Sequence, residues 1–227
     1  MRPYRAALIG CGKIGSEFAD DPLMKGDVFT HAEAYAVCPE TTLLGICDTH
    51  PDKLRQCGQR WQVKAQFFSA LAMMDEVQPE LVSICTPDDT HYHVISQILA
   101  ANHKPLGILC EKPLAMDLTQ AQELLEMCKR CGVVLSVNYM RRFAQNINAL
   151  RMYLLEGNLG EIQAVNGYYT KGVKHNGSHW FDLLRFLVGE VEWVLGMNTL
   201  QETGLDPTLD VFLGLQNGAL ASLRAIR

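Results

Sequence analysis

The sequence has no basic clusters and no long apolar runs, and each of these absences argues against a class of protein. Its 227 residues carry a formal net charge of −5, and no block of Lys and Arg stands out. This argues against nucleic acid as a partner. No apolar run reaches the roughly 18 residues that a membrane-spanning helix needs. The N-terminus, Met1-Arg2-Pro3-Tyr4, leads straight into a predicted strand without a signal-peptide pattern. We therefore expect a cytoplasmic protein without membrane contact.

The eight cysteines lack a regular spacing. Several, such as Cys47, Cys85 and Cys110, fall within apolar strand-like runs, which is typical of reduced buried thiols. Cys128-x-x-Cys131 has the spacing of a ligand pair, but no second Cys pair or His pair completes a zinc site. We expect this pair to be structural and the protein to hold no metal.

A glycine-rich turn near the N-terminus is the most informative stretch that is present. The apolar run 6–9 predicts a buried strand, and Gly10-x-Gly12-x-x-Gly15 follows it at once. In a dinucleotide-binding turn, Gly10 allows the tight turn, Gly12 lets the backbone approach a pyrophosphate, and Gly15 lets the following helix pack closely. The N-terminus of that helix would favour the phosphates. The alternative is an ordinary strand-to-helix turn without a ligand.

An acidic residue at the end of the next strand supports the nucleotide interpretation. Residues 42–47 predict that strand, and Asp48 ends it. A carboxylate there accepts both ribose hydroxyls of adenosine and repels a 2′-phosphate, so NAD is favoured over NADP. Asp48 lies further along than the usual separation of about 20 positions, because residues 29–38 predict an extra short helix. The alternative for Asp48 is a plain turn residue before Pro51.

Strands and helices alternate through the first half of the chain. This predicts a doubly wound parallel sheet, which binds ligands at the carboxyl ends of its strands. Further strands are predicted over 80–85, 106–110 and 133–137, and helices over 52–61, 69–76, 90–101 and 118–131. Polar or glycine residues follow the predicted strands at Gly10, Asp48, Thr86, Glu111-Lys112 and Asn138. Their shared position is the strongest structural argument for a site.

The pattern changes after residue 137. Helices are predicted over 146–156 and 179–188, and strands over 161–170, 190–198, 210–215 and 219–226. Asn217-Gly218 is a strong hairpin signal between the last two strands. We therefore predict two domains: a Rossmann domain over 1–137, and an α+β domain with a mostly antiparallel open sheet over 138–227. The sequence ends directly after an apolar run, so we expect the second domain to be incomplete.

Lys112 is the first candidate for catalysis. It follows a buried strand and precedes Pro113, so its backbone is restricted and its ammonium group is aimed at the cofactor cleft. A lysine there can hydrogen-bond a substrate hydroxyl and stabilise the alkoxide that develops as hydride leaves. Glu111 could pair with Lys112 or orient a ribose. The alternative is a surface lysine at a turn.

Histidines supply the second set of candidates. His175 and His179 are four positions apart, and imidazole is a natural acid or base for alcohol–ketone interconversion. Two histidines at this spacing can also bind zinc, but no third ligand is evident and the Glu of H-E-x-x-H is missing. Core or capping histidines remain an alternative. We expect His91 to lie near the cleft, and His93 to be structural.

Together these motifs resemble the Gfo/Idh/MocA oxidoreductases, the group of glucose–fructose oxidoreductase and inositol dehydrogenase. The resemblance runs over essentially the whole chain, and Glu-Lys-Pro after a Rossmann strand is its most specific part. It implies an N-terminal Rossmann domain, a second domain whose open sheet often forms an oligomer interface, and NAD(P)-dependent oxidation or reduction of a sugar or polyol hydroxyl. The motifs occur in the order Gly10-x-Gly12-x-x-Gly15, Asp48, Thr86-Pro87 with His91, Glu111-Lys112-Pro113, Arg142-Phe143, Leu159-Gly160-Glu161 and His179-x-x-Asp182-Leu183-Leu184-Arg185.

The sequence departs from the family pattern at one position that bears on activity. Family members commonly carry an Asp four residues before the His, and His175 stands there. The carboxylate that assists the base is therefore replaced, with Asn176 or His175 itself as a substitute. The segment 175–180 is similar to members linked to bacterial surface-sugar synthesis, which implies a sugar nucleotide as one candidate substrate.

Two functions follow from these features. The first is an NAD-dependent dehydrogenase or ketoreductase of a sugar, polyol or sugar nucleotide, working as a homo-oligomer. The second is a non-catalytic NAD-binding regulator of the same fold. The predicted catalytic residues are Lys112, His179 and His175. The predicted cofactor-binding residues are Gly10, Gly12, Lys13, Ile14, Gly15, Asp48, Thr86, Pro87, His91, Glu111, Lys112 and Asn138.

Overall fold

The computed structural model describes residues 2–24 and 28–226. The chain forms two compact units, one ending at Asn138 and the other beginning at Tyr139. The sequence-based boundary falls one residue earlier, between 137 and 138. Each unit has its own sheet, and each is described separately below.

The first unit alternates strands and helices. Its strands are β1 (Tyr4–Ile9), β2 (Thr41–Cys47), β3 (Ala65–Phe67), β4 (Leu81–Ile84), β5 (Gly107–Cys110) and β6 (Val134–Val137). Its helices are α1 (His31–Val37), α2 (Pro51–Trp61), α3 (Ala70–Val77), α4 (His91–Ala100) and α5 (Leu118–Cys131). All adjacent strands pair in parallel, in the order β3-β2-β1-β4-β5-β6. The predicted doubly wound parallel sheet is confirmed.

Burial of the central strand on both faces explains its continuous apolar sequence. Ala6, Ala7 and Leu8 in β1 have no exposed surface. Successive side chains of a strand point to opposite faces. Accordingly Ala7 and Ile9 belong to one core cluster, whereas Leu8 belongs to another. Helices cover both faces, and the carboxyl ends of the strands remain at one edge of the sheet.

Two features of this unit differ from the prediction. The three-residue edge strand β3 was not predicted, because so short a run carries no periodic signal. No α-helix follows Gly15: a hydrogen-bonded turn leads into a 3₁₀ helix, Glu17–Asp20. Pro22 disfavours helical geometry in the residue before it, which explains why this helical segment is short. The predicted extra helix is present as α1, and Thr30 caps it by accepting a hydrogen bond from the Glu33 N–H.

The described part of the second unit contains two α-helices and a four-stranded sheet. The elements are α6 (Gln145–Leu155), β7 (Ala164–Tyr169), α7 (Ser178–Leu187), β8 (Val191–Met197), β9 (Asp210–Leu215) and β10 (Leu220–Ala225). The strand order is β7-β10-β9-β8. The predicted hairpin joins β9 to β10 through Asn217-Gly218, and Gly218 has a φ of +86°, which favours glycine. β10 pairs in parallel with β7, and the other pairs are antiparallel, so the sheet is mostly antiparallel as predicted.

One side of this sheet packs against α7. Leu184 of α7 joins Leu213 and Leu223 in a core cluster. Large apolar side chains elsewhere on the strands are exposed: Tyr168 by 71%, Val194 by 63% and Leu220 by 57%. Among residues 2–24 and 28–226, none of the helices combines the length and the apolar character needed to cross a lipid bilayer.

Candidate functional site

The glycine turn between β1 and the 3₁₀ helix leaves no room for side chains at two of its three glycines. Gly10 has a φ of +95°, and a Cβ there would lie 2.5 Å from the Cys85 carbonyl carbon. A Cβ on Gly15 would lie 2.0 Å from the Gly10 oxygen. At Gly12 the nearest atom is the flexible end of Lys53, at 3.7 Å. Gly10 and Gly15 are therefore required by the protein's own packing, whereas Gly12 leaves open space in front of the turn.

These differences predict opposite effects of two matched substitutions. Gly15→Ala should lower the free energy of unfolding by about 1–3 kcal/mol, because the turn must shift to admit the methyl group. Gly12→Ala should leave urea unfolding nearly unchanged and weaken NAD binding, because its methyl group enters the space predicted for the pyrophosphate. Urea unfolding and calorimetric titration of both variants measure the two effects. Unchanged NAD affinity in Gly12→Ala would contradict the role predicted for Gly12.

Asp48 closes onto the glycine turn. One carboxylate oxygen accepts a hydrogen bond from the Cys11 N–H at 2.7 Å, and the other accepts one from the His50 N–H at 2.8 Å. The first bond places the carboxylate directly beside the turn. The second is the local bond of a turn residue, and the ribose-binding role of Asp48 stays a prediction. Two further residues of the glycine turn belong to the predicted cofactor set, Lys13 and Ile14. Lys13 is exposed, and the Ile14 carbonyl accepts a hydrogen bond from the His31 N–H at 3.1 Å.

Glu111 and Asn138 meet at the carboxyl ends of β5 and β6. The Asn138 side chain donates to Glu111 Oε1 at 2.6 Å. The same oxygen lies 3.0 Å from Nε2 of His31, which is 7% exposed and begins α1. On its other side, His31 Nδ1 lies 2.9 Å from the Ser83 hydroxyl in β4. A chain of polar groups thus runs beneath the segment that carries Lys112.

Burial and hydrogen bonding act on Glu111 in opposite directions. Burial favours the neutral carboxyl group and would raise its pKa, but hydrogen bonds from His31 and Asn138 favour the charged form and lower the pKa overall. The backbone N–H of Lys112 also hydrogen-bonds to this carboxylate. Glu111 is therefore ionised at neutral pH and tied to its neighbour in the chain.

His91 links two predicted binding segments through the backbone. It is 1% exposed, and its ring nitrogens lie 2.7 Å from the Pro113 oxygen and 2.9 Å from the Thr86 oxygen. The Lys112–Pro113 peptide bond is cis. Because both nitrogens face protein carbonyls, a direct contact between this ring and a cofactor does not fit the structure. His91 instead holds the Thr86-Pro87 loop against the Glu111-Lys112-Pro113 segment.

His175 lies in an unusual helical segment of the second unit. Residues Gly172–Gly177 form one stretch of π-helix that leads directly into α7. The Asp206 carboxylate accepts hydrogen bonds from the backbone N–H groups of Lys174 at 2.7 Å and His175 at 2.9 Å. π-Helical segments are rare in proteins, and those that occur are often found at functional sites. A carboxylate thus contacts the backbone at position 175 although the family's Asp is absent there.

His179 lies in the first turn of α7. The Tyr139 ring packs edge-on against its imidazole, with 5.9 Å between the ring centroids. One helical turn further, Asp182 accepts two hydrogen bonds from Arg142, at 2.7 and 2.5 Å. Asp182 is 9% exposed, so this bidentate ion pair anchors α7 to the segment before α6. Among the residues that the structure describes, no three His, Cys, Asp or Glu side chains are grouped so as to hold a metal ion.

The predicted cofactor-binding residues all lie in the first unit, and their roles stay predictions. Among them, the His91 ring is enclosed between two backbone carbonyls. Sequence reasoning missed His31, Ser83 and Asp206. His31 lies in the extra helix that was predicted, directly after its N-cap residue Thr30. Ser83 and Asp206 gave no local signal, because their partners lie far away along the chain.

The strand order, the glycine turn and the acidic residue after β2 together define a Rossmann-type nucleotide-binding fold. Residues 4–139 match the sequence model of the family described as "Oxidoreductase family, NAD-binding Rossmann fold". Since this match covers more than half of the chain, the chain belongs to the Gfo/Idh/MocA oxidoreductase family.

Relatives and solved structures agree with this assignment. D-glucoside 3-dehydrogenase of Escherichia coli (strain K12) is 29% identical over 86% of this chain. Myo-inositol 2-dehydrogenase of Thermotoga maritima is 25% identical over 95% of it. The WlbA dehydrogenase of Bordetella pertussis was solved in complex with NADH and UDP-GlcNAcA. Its structure superposes on this chain with a TM-score of 0.82 at 22% identity, and the match covers 98% of this chain and 70% of WlbA. This similarity shows the fold alone. The chain spans 54% of the length of the E. coli relative and 66% of the Thermotoga one.

Proposed function

We propose that this protein is an NAD-dependent oxidoreductase that transfers a hydride between nicotinamide and a hydroxyl or keto carbon of a sugar, polyol or sugar nucleotide. The observation that carries the proposal is the cluster at the carboxyl ends of the first sheet, where Asn138 and His31 hydrogen-bond to Glu111, the residue directly before Lys112. The named relatives, which act on glucosides and inositol, support this substrate class.

Each predicted site residue has a distinct role in this proposal. The glycine turn binds the pyrophosphate, and Asp48 binds the adenosine ribose. NAD, when bound, supplies the hydride acceptor. Lys112 donates a hydrogen bond to the substrate oxygen, where negative charge develops as the hydride moves. His179 gives or takes the hydroxyl proton, with His175 assisting. Thr86, Pro87 and Asn138 line the cofactor site of the first unit, and His91 acts on that site through the backbone.

The proposal also covers the assembly and location of the protein. Exposed Tyr168, Leu195 and Leu220 lie on one face of the second sheet and support association of two copies through that face, since exposed apolar surface marks interaction sites. The net charge of −5 and the reduced cysteines support a cytoplasmic protein without nucleic-acid partners.

Cofactor preference tests the nucleotide half of the proposal. We expect NAD(H) to bind more tightly than NADP(H), because the Asp48 carboxylate lies beside the glycine turn and repels a 2′-phosphate. Asp48→Ala should narrow the difference between the two dissociation constants. Calorimetric titration of the wild type and variant with both cofactors measures this. Tighter binding of NADP(H) by the wild-type protein would contradict the role of Asp48.

His175 favours a second candidate function. It stands where the family commonly carries an Asp, and the Asp206 carboxylate accepts a hydrogen bond from its backbone N–H. This supports a non-catalytic NAD-binding regulator as the alternative, in which cofactor or sugar occupancy is sensed without turnover. Turnover assays on sugars and sugar nucleotides separate the two functions.

A further inference from the structure

A buried chain of polar side chains connects α1 to the segment that carries Lys112. The Tyr35 hydroxyl lies 2.8 Å from the Ser83 hydroxyl, which lies 2.9 Å from His31 Nδ1. His31 Nε2 then lies 3.0 Å from Glu111 Oε1. The side chains of His31 and Glu111 are only 6% and 15% exposed. Buried polar groups are costly unless they are paired, so this chain is a specific arrangement and not incidental contact.

We propose that His31 is a positioning residue, which holds the Glu111 carboxylate and, through it, the backbone of Lys112 in the orientation that the reaction needs. The inference rests on the proposed function. It assigns a role to a residue that contacts neither substrate nor cofactor in that proposal.

The Glu111 carboxylate determines which atoms donate in this series of hydrogen bonds. An ionised carboxylate only accepts hydrogen bonds, so His31 Nε2 must carry a proton toward Glu111. This holds for the neutral imidazole, in which Nδ1 accepts from Ser83, and for the imidazolium ion, in which Nδ1 donates to Ser83. In both cases Ser83 and Tyr35 fix the plane of the ring. His31 therefore directs one defined N–H at Glu111.

His31 also joins three parts of the first unit that lie far apart in sequence. Its backbone N–H donates to the Ile14 carbonyl in the glycine turn, at 3.1 Å. Its side chain contacts Ser83 in β4 and Glu111 after β5. Two neighbouring thiols, Cys85 and Cys110, have raised pKa values because they are buried and face the Glu111 charge, so they remain neutral. An apolar side chain at position 31 would fill the space but would remove the hydrogen bond from position 31 to Glu111 Oε1 and leave the one from Asn138 in place.

Two substitutions at position 31 separate positioning from packing. His31→Leu removes the donor and keeps an apolar filling, whereas the side-chain amide of His31→Gln can reach the Glu111 carboxylate. We expect His31→Leu to lower kcat on the order of 100-fold with the dissociation constant of NAD little changed, because misplacing a catalytic group has effects of this size. His31→Gln should recover most of the loss. If packing were the role of His31, the leucine variant would equal or exceed the glutamine variant, and the inference would be overturned.

His103 provides matched controls in the same unit. Its Nε2 lies 2.9 Å from the Pro79 oxygen, in the connections that precede β4 and β5, at the opposite edge of the sheet. His103→Leu and His103→Gln should leave kcat unchanged. If the His103 variants lost as much kcat as the matching His31 variants, the inference would be overturned. Should His31→Leu fail to fold, Ser83→Ala removes the hydroxyl that fixes the ring, and it should lower kcat in the same direction by a smaller factor.

A measurement without substrate keeps this inference separate from the proposed function. The Glu111 carboxyl titration can be followed by ¹³C NMR in the cofactor-free protein. Burial raises the pKa of Glu111, and the hydrogen bond from His31 lowers it. His31→Leu removes this hydrogen bond, so it should raise the pKa of Glu111. Sugar turnover at the wild-type rate with an unmoved titration would overturn the inference and leave the function intact. A raised pKa in a protein that turns over no sugar or sugar nucleotide would support the link from His31 to Glu111 and overturn the proposed function.

Discussion

Lys112→Ala should lower turnover on the order of 100- to 1000-fold while leaving NAD affinity nearly intact. Lys112 follows β5, and its backbone is bonded to the buried Glu111 carboxylate. Its proposed work is on the substrate oxygen, where charge develops only as the hydride moves. Removing one such electrostatic contact typically costs this factor in kcat. Steady-state kinetics on a panel of sugars and sugar nucleotides, with calorimetric titration of NAD, measure both effects.

Lys129→Ala is the matched control for this experiment. Lys129 lies in the last turn of α5 and is exposed. Because α5 ends just before β6 begins, Lys129 lies at the amino-end edge of the sheet, away from the predicted site. The control should turn over at the wild-type rate. Equal rates in Lys112→Ala and the wild type would refute the catalytic role of Lys112. NAD binding without turnover of any sugar or sugar nucleotide by the wild-type protein would favour the regulator.

Asp182→Ala should lower the free energy of unfolding of the second unit by about 3 kcal/mol. Asp182 is 9% exposed and accepts both hydrogen bonds of the Arg142 guanidinium. Removing one partner of a buried pair leaves the other charge without its compensating partner, which costs about 3–5 kcal/mol. Arg142 is 36% exposed and also packs on the Phe186 ring, so we expect the lower end of this range. Urea unfolding, followed by the fluorescence of Trp180 in α7, measures the change.

An exposed ion pair in the same unit shows what burial contributes. Arg185 donates to Glu190 at 2.7 Å, and both side chains are about half exposed, by 53% and 54%. Glu190→Ala should change the free energy of unfolding far less than Asp182→Ala does, since exposed pairs contribute little. Equal effects of Asp182→Ala and Glu190→Ala would show that burial of the Arg142–Asp182 pair adds nothing to its contribution.

The secondary structure was largely predictable because its signals are local. Ser69 caps α3 as predicted, accepting a hydrogen bond from the Ala72 N–H, and Gly132 ends α5 in the left-handed conformation. The hairpin at Asn217-Gly218 was likewise predicted from two residues. The prediction of a helix directly after Gly15 was wrong. The residues before Pro22 form only a turn and a short 3₁₀ helix, because the proline disfavours helical geometry in the residue before it. The cofactor and catalytic roles of individual residues stay predictions.

The sequence by itself determined the parallel sheet and the edge at which the candidate site lies. Alternating strands and helices make every strand run in one direction, so Gly10, Asp48, Glu111 and Asn138 come to the same edge because each follows a strand. Only the tertiary structure decided which side chains meet there. His31 reaches Ser83 across 52 positions and Glu111 across 80, and the ring of His91 is buried between carbonyl groups. Such partners depend on how the sheet and helices close on one another, and the local sequence pattern records only the backbone conformation of each segment.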